Sequence, residues 1–179
     1  GSGKVKLSGI SYPTADGTAS YLMKTNGSGV LSFTETATPT MFQAYRSTNQ
    51  TITNNTITKV QFDTEVVDTG GYYDNTTNYR FTPLKAGYYS VNAQIQLLAG
   101  TGTFTYKVYI YKNGSEIARN AIACGSTSGA EISVNCRKTV QMNGSTDYLE
   151  AFCYQNIGSS SSVVGASTHS YFEAFKVSE

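Results

Sequence analysis

Three observations predict an all-β chain folded as a two-sheet antiparallel sandwich such as a jelly roll. The 179 residues include 14 Tyr and 8 Phe beside abundant Thr, types that suit a pleated, half-buried surface. Short segments in which apolar and polar residues alternate recur from Met41 onward, separated by Gly, Asn and Ser. No stretch of ten residues keeps a helical period, and Asn-Gly dipeptides, the short-range hairpin signal, stand between alternating segments.

A chain of 19.3 kDa is long enough for one domain with a short appendage, and a domain of that size builds its core without metal or disulfide staples. Residues 4–40 differ from the rest in having few spaced apolar residues and many turn formers. Within them Asn26-Gly27 separates Tyr21, Leu22 and Met23 from Val30, Leu31 and Phe33, which predicts a hairpin. A lone hairpin is marginal in water, so residues 1–40 are expected to form a stalk or collar ordered by neighbouring chains or by the main domain. Residues 41–179 are the expected head.

The head's strands follow in order. Phe42–Arg46 is the first, residues 57–67 alternate around Val60 and Phe62, and Tyr79–Thr82 precedes a turn over 83–87. Residues 88–97 form the clearest strand, with Tyr89, Val91, Ala93, Ile95 and Leu97 on one face and Tyr88, Ser90, Asn92, Gln94 and Gln96 on the other. Residues 103–112 and 115–123 flank Asn113-Gly114, a second hairpin. Residues 131–141 alternate through Ile132, Val134, Cys136 and Val140, and Asn143-Gly144 leads into 147–155. A Ser-rich loop over 158–168 precedes the last strand, 171–177.

Charge and composition exclude several functions. Thirteen Lys and Arg against 12 Asp and Glu leave a net charge of +1, which speaks against a protein held to nucleic acid by phosphate contacts. No apolar run approaches the roughly 18 residues that a membrane-crossing helix needs, and the first residues lack a charged-then-apolar signal pattern. With one histidine, His169, and three cysteines outside any CxxC arrangement, neither a His-dependent triad nor a thiolate zinc site has its parts. No enzyme activity is expected.

The order of motifs resembles the C1q/tumour-necrosis-factor-like jelly roll over about residues 41–177. Phe42–Arg46, Val60 and Phe62, Tyr73-Asp74, Phe81-Thr82-Pro83 and Ala86–Val91 match its opening in sequence. Tyr111–Gly114, Asp147–Leu149 and Tyr171–Phe175 match its later half. The segment Tyr12–Phe33 looks like linkers found upstream of tips in phage tail fibres and related bacterial surface fibres, and the Gly-X-Y stalk of animal C1q-like proteins is absent from it. This resemblance implies a homotrimer whose outer sheet face turns toward a threefold axis. Carried over, it places Tyr88, Asn92, Gln94 and Gln96 at that interface, with stacked rings of polar groups on the axis. Phe172 is assigned there too, because aromatic residues occupy both faces of the last strand and both faces of such a strand are usually covered. A solvent-facing polar side of the sheet is the alternative.

The same topology would collect the segments 48–56, 99–102, 124–130 and 155–168 at the end away from the stalk. Loops on a rigid scaffold are where binding commonly resides. Asn49, Asn54, Thr101, Ser126, Ser128, Asn156, Ser160, Ser162 and His169 are the candidate ligand-binding residues there, their side chains suited to hydrogen bonding with polar ligands; short solvated turns are the alternative. Asp63, Glu65, Asp68 and Asp74 around Gly70-Gly71 supply oxygens that calcium could use, but their spacing matches no EF-hand loop and no metal ligand is assigned. A simple hairpin around Asn143-Gly144 would set Cys136 opposite Cys153, whereas the resembling jelly roll puts these strands in different sheets; a disulfide and free thiols both remain open.

The expected function is the receptor-binding, adhesive tip of a trimeric fibre, on a virion tail or a bacterial surface, recognising a cell-surface glycan or protein, with avidity from its three copies. The alternatives are a purely structural trimerisation head and a secreted C1q-like ligand. No cofactor, nucleic acid or membrane insertion is expected.

Overall fold

The computed structural model of the protein describes residues 5–15, 17–36, 38–126 and 130–178. The chain divides into two compact units, Gly1–Thr38 and Pro39–Glu179. In the first, β1 (Lys6–Leu7) pairs with β2 (Ile10–Ser11), and β3 (Tyr21–Thr25) pairs with β4 (Leu31–Glu35), both antiparallel. The loop between β3 and β4 is pinned by Asn26, whose Oδ1 accepts the N–H groups of Ser28 and Val30 at 2.8 and 3.1 Å.

The second unit is a two-sheet sandwich. Its elements are β5 (Met41–Tyr45), β6 (Gln50–Ile52), β7 (Thr58–Lys59), β8 (Thr64–Asp68), β9 (Tyr73–Asp74), β10 (Arg80–Phe81), β11 (Ala86–Leu98), β12 (Gly102–Lys112), β13 (Ser115–Ser126), β14 (Glu131–Asn143), β15 (Leu149–Gln155), β16 (Ser161–Val163) and β17 (Tyr171–Ser178). In one sheet β14 takes an edge of β11 along all of it, so β17 and β16 share the other edge, β17 beside Tyr88–Gln94 and β16 at Leu97. The order continues from β17 to β5 and β8, and from β16 to β6. The second sheet runs β13-β12-β15-β10-β9, with β7 also on β15. All these pairings are antiparallel.

Alternation along β11 works as its sequence requires. Tyr89, Val91, Ala93, Ile95 and Leu97 are all buried, and the opposite face carries Tyr88, Ser90, Asn92, Gln94 and Gln96. From the second sheet Phe104, Tyr106, Val108, Ile110, Leu149, Ala151 and Cys153 meet them. At the core of one half the Phe42 ring stacks on Phe81 at 4.3 Å and on Tyr73 at 4.8 Å, and meets Phe172 edge-on at 5.1 Å. Such offset and edge contacts suit the aromatic quadrupole.

Three sequence expectations change here. The single segment 57–67 is two strands in different sheets, because the chain crosses the core between them. β7 pairs with β15, Val60 donates to the Ala151 carbonyl at 3.0 Å, Phe62 is fully buried, and β8 then pairs with β5. The 158–168 loop contains strand β16, whose Ser161 and Val163 are buried against β6 and Leu97. Phe172 does not reach the outer face of the sheet: it is fully buried, in the sandwich interior, together with Ala174 two residues on. The faces of β17 are therefore sorted as Phe172 and Ala174 inward, Tyr171, Glu173 and Phe175 outward.

Cys136 lies on β14 and Cys153 on β15, strands of different sheets, and Cys124, Cys136 and Cys153 are all free. The turn between β14 and β15 passes from one sheet to the other instead of closing a hairpin.

Candidate functional site

Entry and exit of the second unit lie together at one of its two ends. At one end Lys176 N–H donates to the Thr40 carbonyl at 2.9 Å and Thr69 N–H to that of Met41 at 3.1 Å, beside the start of β5. The far end, where β5 finishes and β17 begins, gathers the segments 48–56, 99–102 and 155–168, with Ala99 N–H donating to the Ala130 carbonyl at 2.7 Å.

The asparagines expected to bind ligand have another task in holding these loops together. Asn49 Oδ1 accepts the Gly165 N–H at 2.9 Å, Asn54 Oδ1 accepts that of Gly158 at 3.0 Å, and Asn156 Oδ1 accepts that of Thr105 at 2.5 Å. The buried Gln155 carboxamide completes the brace. Its Nε2 donates to the Ser159 carbonyl at 2.9 Å and to that of Ile52 at 3.4 Å, and its Oε1 accepts the Ile157 N–H at 2.8 Å. Each of these side chains satisfies a backbone group that a loop would otherwise expose, so the far end is pre-formed.

Between the braced loops lies a cleft of about 510 Å³, within the range of small-ligand sites. Thr51, Thr101, Ser159, Ser160, Ser161 and Ser162 line it with hydroxyls, while Leu98, Ala99 and Ile157 supply apolar surface. Thr101, Ser160 and Ser162 thus come together as the sequence suggested. His169 does not join them. Its main chain is tied to Ala166 and Gln94 beside β17, and its Nδ1 is buried without a partner among the described residues. Ser128 lies outside the described residues, and of Ser126 only the backbone, the last residue of β13, is described.

A second surface is the outer face of the sheet around β11. Rows run across it by register: Tyr45, Tyr171, Gln94 and Asn135; then Gln43, Glu173, Asn92 and Arg137; then Met41, Phe175, Ser90 and Thr139. Tyr88 and Phe175 are 42% and 48% exposed. The middle row is wired together. Gln43 Nε2 and Asn92 Nδ2 donate to the two carboxylate oxygens of Glu173 at 2.7 and 3.0 Å, and Arg137 Nε donates to Asn92 Oδ1 at 3.3 Å. Asn92 is held at 7% exposure by this network. Gln94 Oε1 accepts the Tyr171 hydroxyl at 3.3 Å, and Gln96 binds Glu131 and Ser133. Sequence reasoning left out Glu173, Gln43 and Arg137. Their only signal was parity with residues already placed outward, which becomes usable once Phe172 is known to point in.

The acidic residues near Gly70-Gly71 do not converge, and among the described residues no three His, Cys, Asp or Glu side chains gather as a metal site would. Asp63 pairs with Arg46 at 2.5 Å and accepts from Ser47 N–H and Oγ. Burial alone would raise its carboxyl, but those donors and the guanidinium hold it below the ordinary carboxylate value. Asp68 accepts the N–H groups of Gly70 and Tyr73. Asp74 caps its own turn, and the N–H groups of Thr77, Thr76 and Asn78 with the Asn78 amide hold its carboxyl far below the usual range.

No protein-family model matches the sequence, and no curated protein matches it either. Solved structures do resemble it. The Eiger tumour necrosis factor of S. frugiperda superposes with a TM-score of 0.56 at 11% identity, covering 79% of this chain and 94% of that one. Murine APRIL at pH 5.0 gives 0.56 at 12% identity, covering 78% of this chain and all of its own. These likenesses show the fold: this protein carries a jelly roll like that of the tumour necrosis factors, as its motif order implied.

Proposed function

We propose that this protein is the receptor-binding head of a trimeric fibre, attaching to a glycan or protein on the surface of bacteria and carrying out no catalysis. The observation that carries the reading is the far end of the jelly roll, where loops braced by Asn49, Asn54, Gln155 and Asn156 enclose a hydroxyl-lined cleft opposite the point at which the chain enters. The fold is one in which trimerisation and ligand binding are expected from the resemblance. The exposed rings of Tyr88 and Phe175, on a sheet face otherwise satisfied by its own hydrogen bonds, suit burial against further copies of the chain. The residues 1–38 ahead of the head suit a collar at the top of a fibre. Three weak sites on one fibre, and more on one particle, would bind a surface through avidity.

Solution mass and cell capture test it together. Light scattering should give about 58 kDa, three copies of 19.3 kDa. Tyr88→Asp with Phe175→Asp should lower it to a single copy. The intact protein should label bacterial cells from a strain panel, and Thr101→Tyr with Ser160→Tyr should abolish labelling while leaving the mass at 58 kDa. A trimer that labels no strain would be a structural head instead, and a single-copy mass for the unaltered protein would overturn the assembly.

A further inference from the structure

We infer that the far-end cleft selects an uncharged sugar and discriminates against acidic or phosphorylated ones, a conclusion that rests on the proposed role of this cleft as the binding site. The hydroxyls of Thr51, Thr101, Ser159, Ser160 and Ser162 line it and form no hydrogen bond with another described residue, while Ser161 Oγ is committed to the Leu98 carbonyl at 2.7 Å. A hydroxyl both donates and accepts, so this lining can match the mixed donor and acceptor pattern of a sugar's own hydroxyls whichever way each is turned. None of the residues lining the cleft is ionisable. A carboxylate or phosphate entering would give up hydration for hydroxyl dipoles alone, without a cation to offset the loss.

The apolar part of the lining points to the same class. Leu98, Ala99 and Ile157 line the cleft beside the hydroxyl residues, and their apolar surface is suited to the C–H face of a pyranose. Ile157 also presses close to the Gly100 backbone: a Cβ at Gly100 would stand 2.8 Å from that of Ile157. Any larger residue at Gly100 would therefore have to shift the Ile157 side chain in the lining. The Gln155 and Asn54 braces keep the Ser159–Ser162 wall in place without drawing on its hydroxyls.

The probe is an immobilised panel of neutral hexose and N-acetylhexosamine oligosaccharides, matched with the same backbones carrying uronic acid, sialic acid or phosphate. The full-length protein should bind members of the neutral set at least tenfold more tightly than their acidic counterparts. Ser160→Lys should lose tenfold or more on the neutral set and gain on the acidic one, a change of preference that misfolding cannot produce. Thr101→Tyr should weaken neutral binding without altering solution mass or melting temperature, and the best neutral oligosaccharide, added free, should compete with cell capture. Preference for the acidic set, or neutral binding indifferent to both substitutions, overturns the inference. If cells are captured through the cleft and Thr101→Tyr with Ser160→Tyr abolishes capture while no neutral sugar binds or competes, the selectivity falls and the binding head stands. If capture survives that double substitution, the site itself is wrong.

Discussion

The dipeptide Asn-Gly closes two of the hairpins of this chain with different results. At Asn113-Gly114 both residues take positive φ, 52° and 76°, the two-residue turn whose twist matches its flanking strands. The strands it joins, β12 and β13, run in register over nearly their whole length, and the inner face of β12 lies in the core. At Asn26-Gly27 only the glycine of the pair has positive φ, the asparagine caps a five-residue loop, and all of β3 is exposed, with Leu22 at 59%. A third copy, Asn143-Gly144, makes no hairpin at all. Asn143 Oδ1 accepts the N–H groups of Ser145, Thr146 and Asp147, and the chain swings to the other sheet. The dipeptide supplies a reversal, and the apolar pattern beside it decides what the reversal joins.

Truncating a large apolar side chain in each environment should give the widest contrast. Phe172→Ala empties the middle of the aromatic cluster and should cost about 3–5 kcal/mol by urea unfolding, whereas Leu22→Ala on β3 should stay within about 0.5 kcal/mol. A much larger loss at Leu22 would show that the hairpin is buried by other copies of the chain.

The three glycines rank next. A Cβ at Gly144, where φ is +73°, would stand 2.3 Å from the Ala86 nitrogen, so Gly144→Ala combines backbone strain with a main-chain clash and should cost about 3 kcal/mol or more. Gly114→Ala and Gly27→Ala face positive φ with no close neighbour, and each should cost about 1–2 kcal/mol. Equal midpoint shifts for all three would show that Gly144 is not gripped by Ala86.

A smaller effect ties the two turns of the head to pH. Asp147 accepts Asn113 Nδ2 and Lys112 Nζ at 2.8 Å and the Asn143 N–H at 2.9 Å, joining both Asn-Gly turns through one carboxylate. Burial would raise its carboxyl, but the Lys112 and Asn113 donors and the Asn143 N–H together lower it. A carboxyl lowered by folding stabilises above its unfolded value, near 3.8, and that stability is lost as the pH falls through the folded one. Asp147→Asn should cost about 2 kcal/mol at pH 7 and flatten the loss of stability below about pH 4, read from urea midpoints at each pH.

Thiol labelling is the finest probe. Burial raises all three thiols, Cys153 up to about 12, but Cys124 is only half-buried whereas Cys136 and Cys153 are buried. Iodoacetamide should modify Cys124 first in the folded protein and reach the other two only after unfolding, as peptide mass would show.

Much of the fold was legible because an antiparallel strand with one covered face writes that face into alternate residues. β11 is the plainest case, and the sandwich, its order of strands and its two-residue hairpin followed from such patterns and from the motif order. β17 was not legible, since Tyr171, Phe172 and Phe175 make both faces apolar and register alone assigns Phe172 inward, opposite Ala93 and Ala44. In the cleft, Thr101, Ser160 and Ser162 could be named from loop position, but the roles of Asn49, Asn54 and Asn156 could not. A carboxamide reads the same in sequence whether it waits for a ligand or caps a neighbouring loop, and here its partners lie 51 to 116 residues away. The sequence by itself determined what depends on local periodicity and turn chemistry: strands, reversals and an all-β sandwich. Which polar groups are spent inside the protein and which stay free for a ligand was decided only by tertiary structure, because hydrogen bonds between distant segments leave no period in the chain.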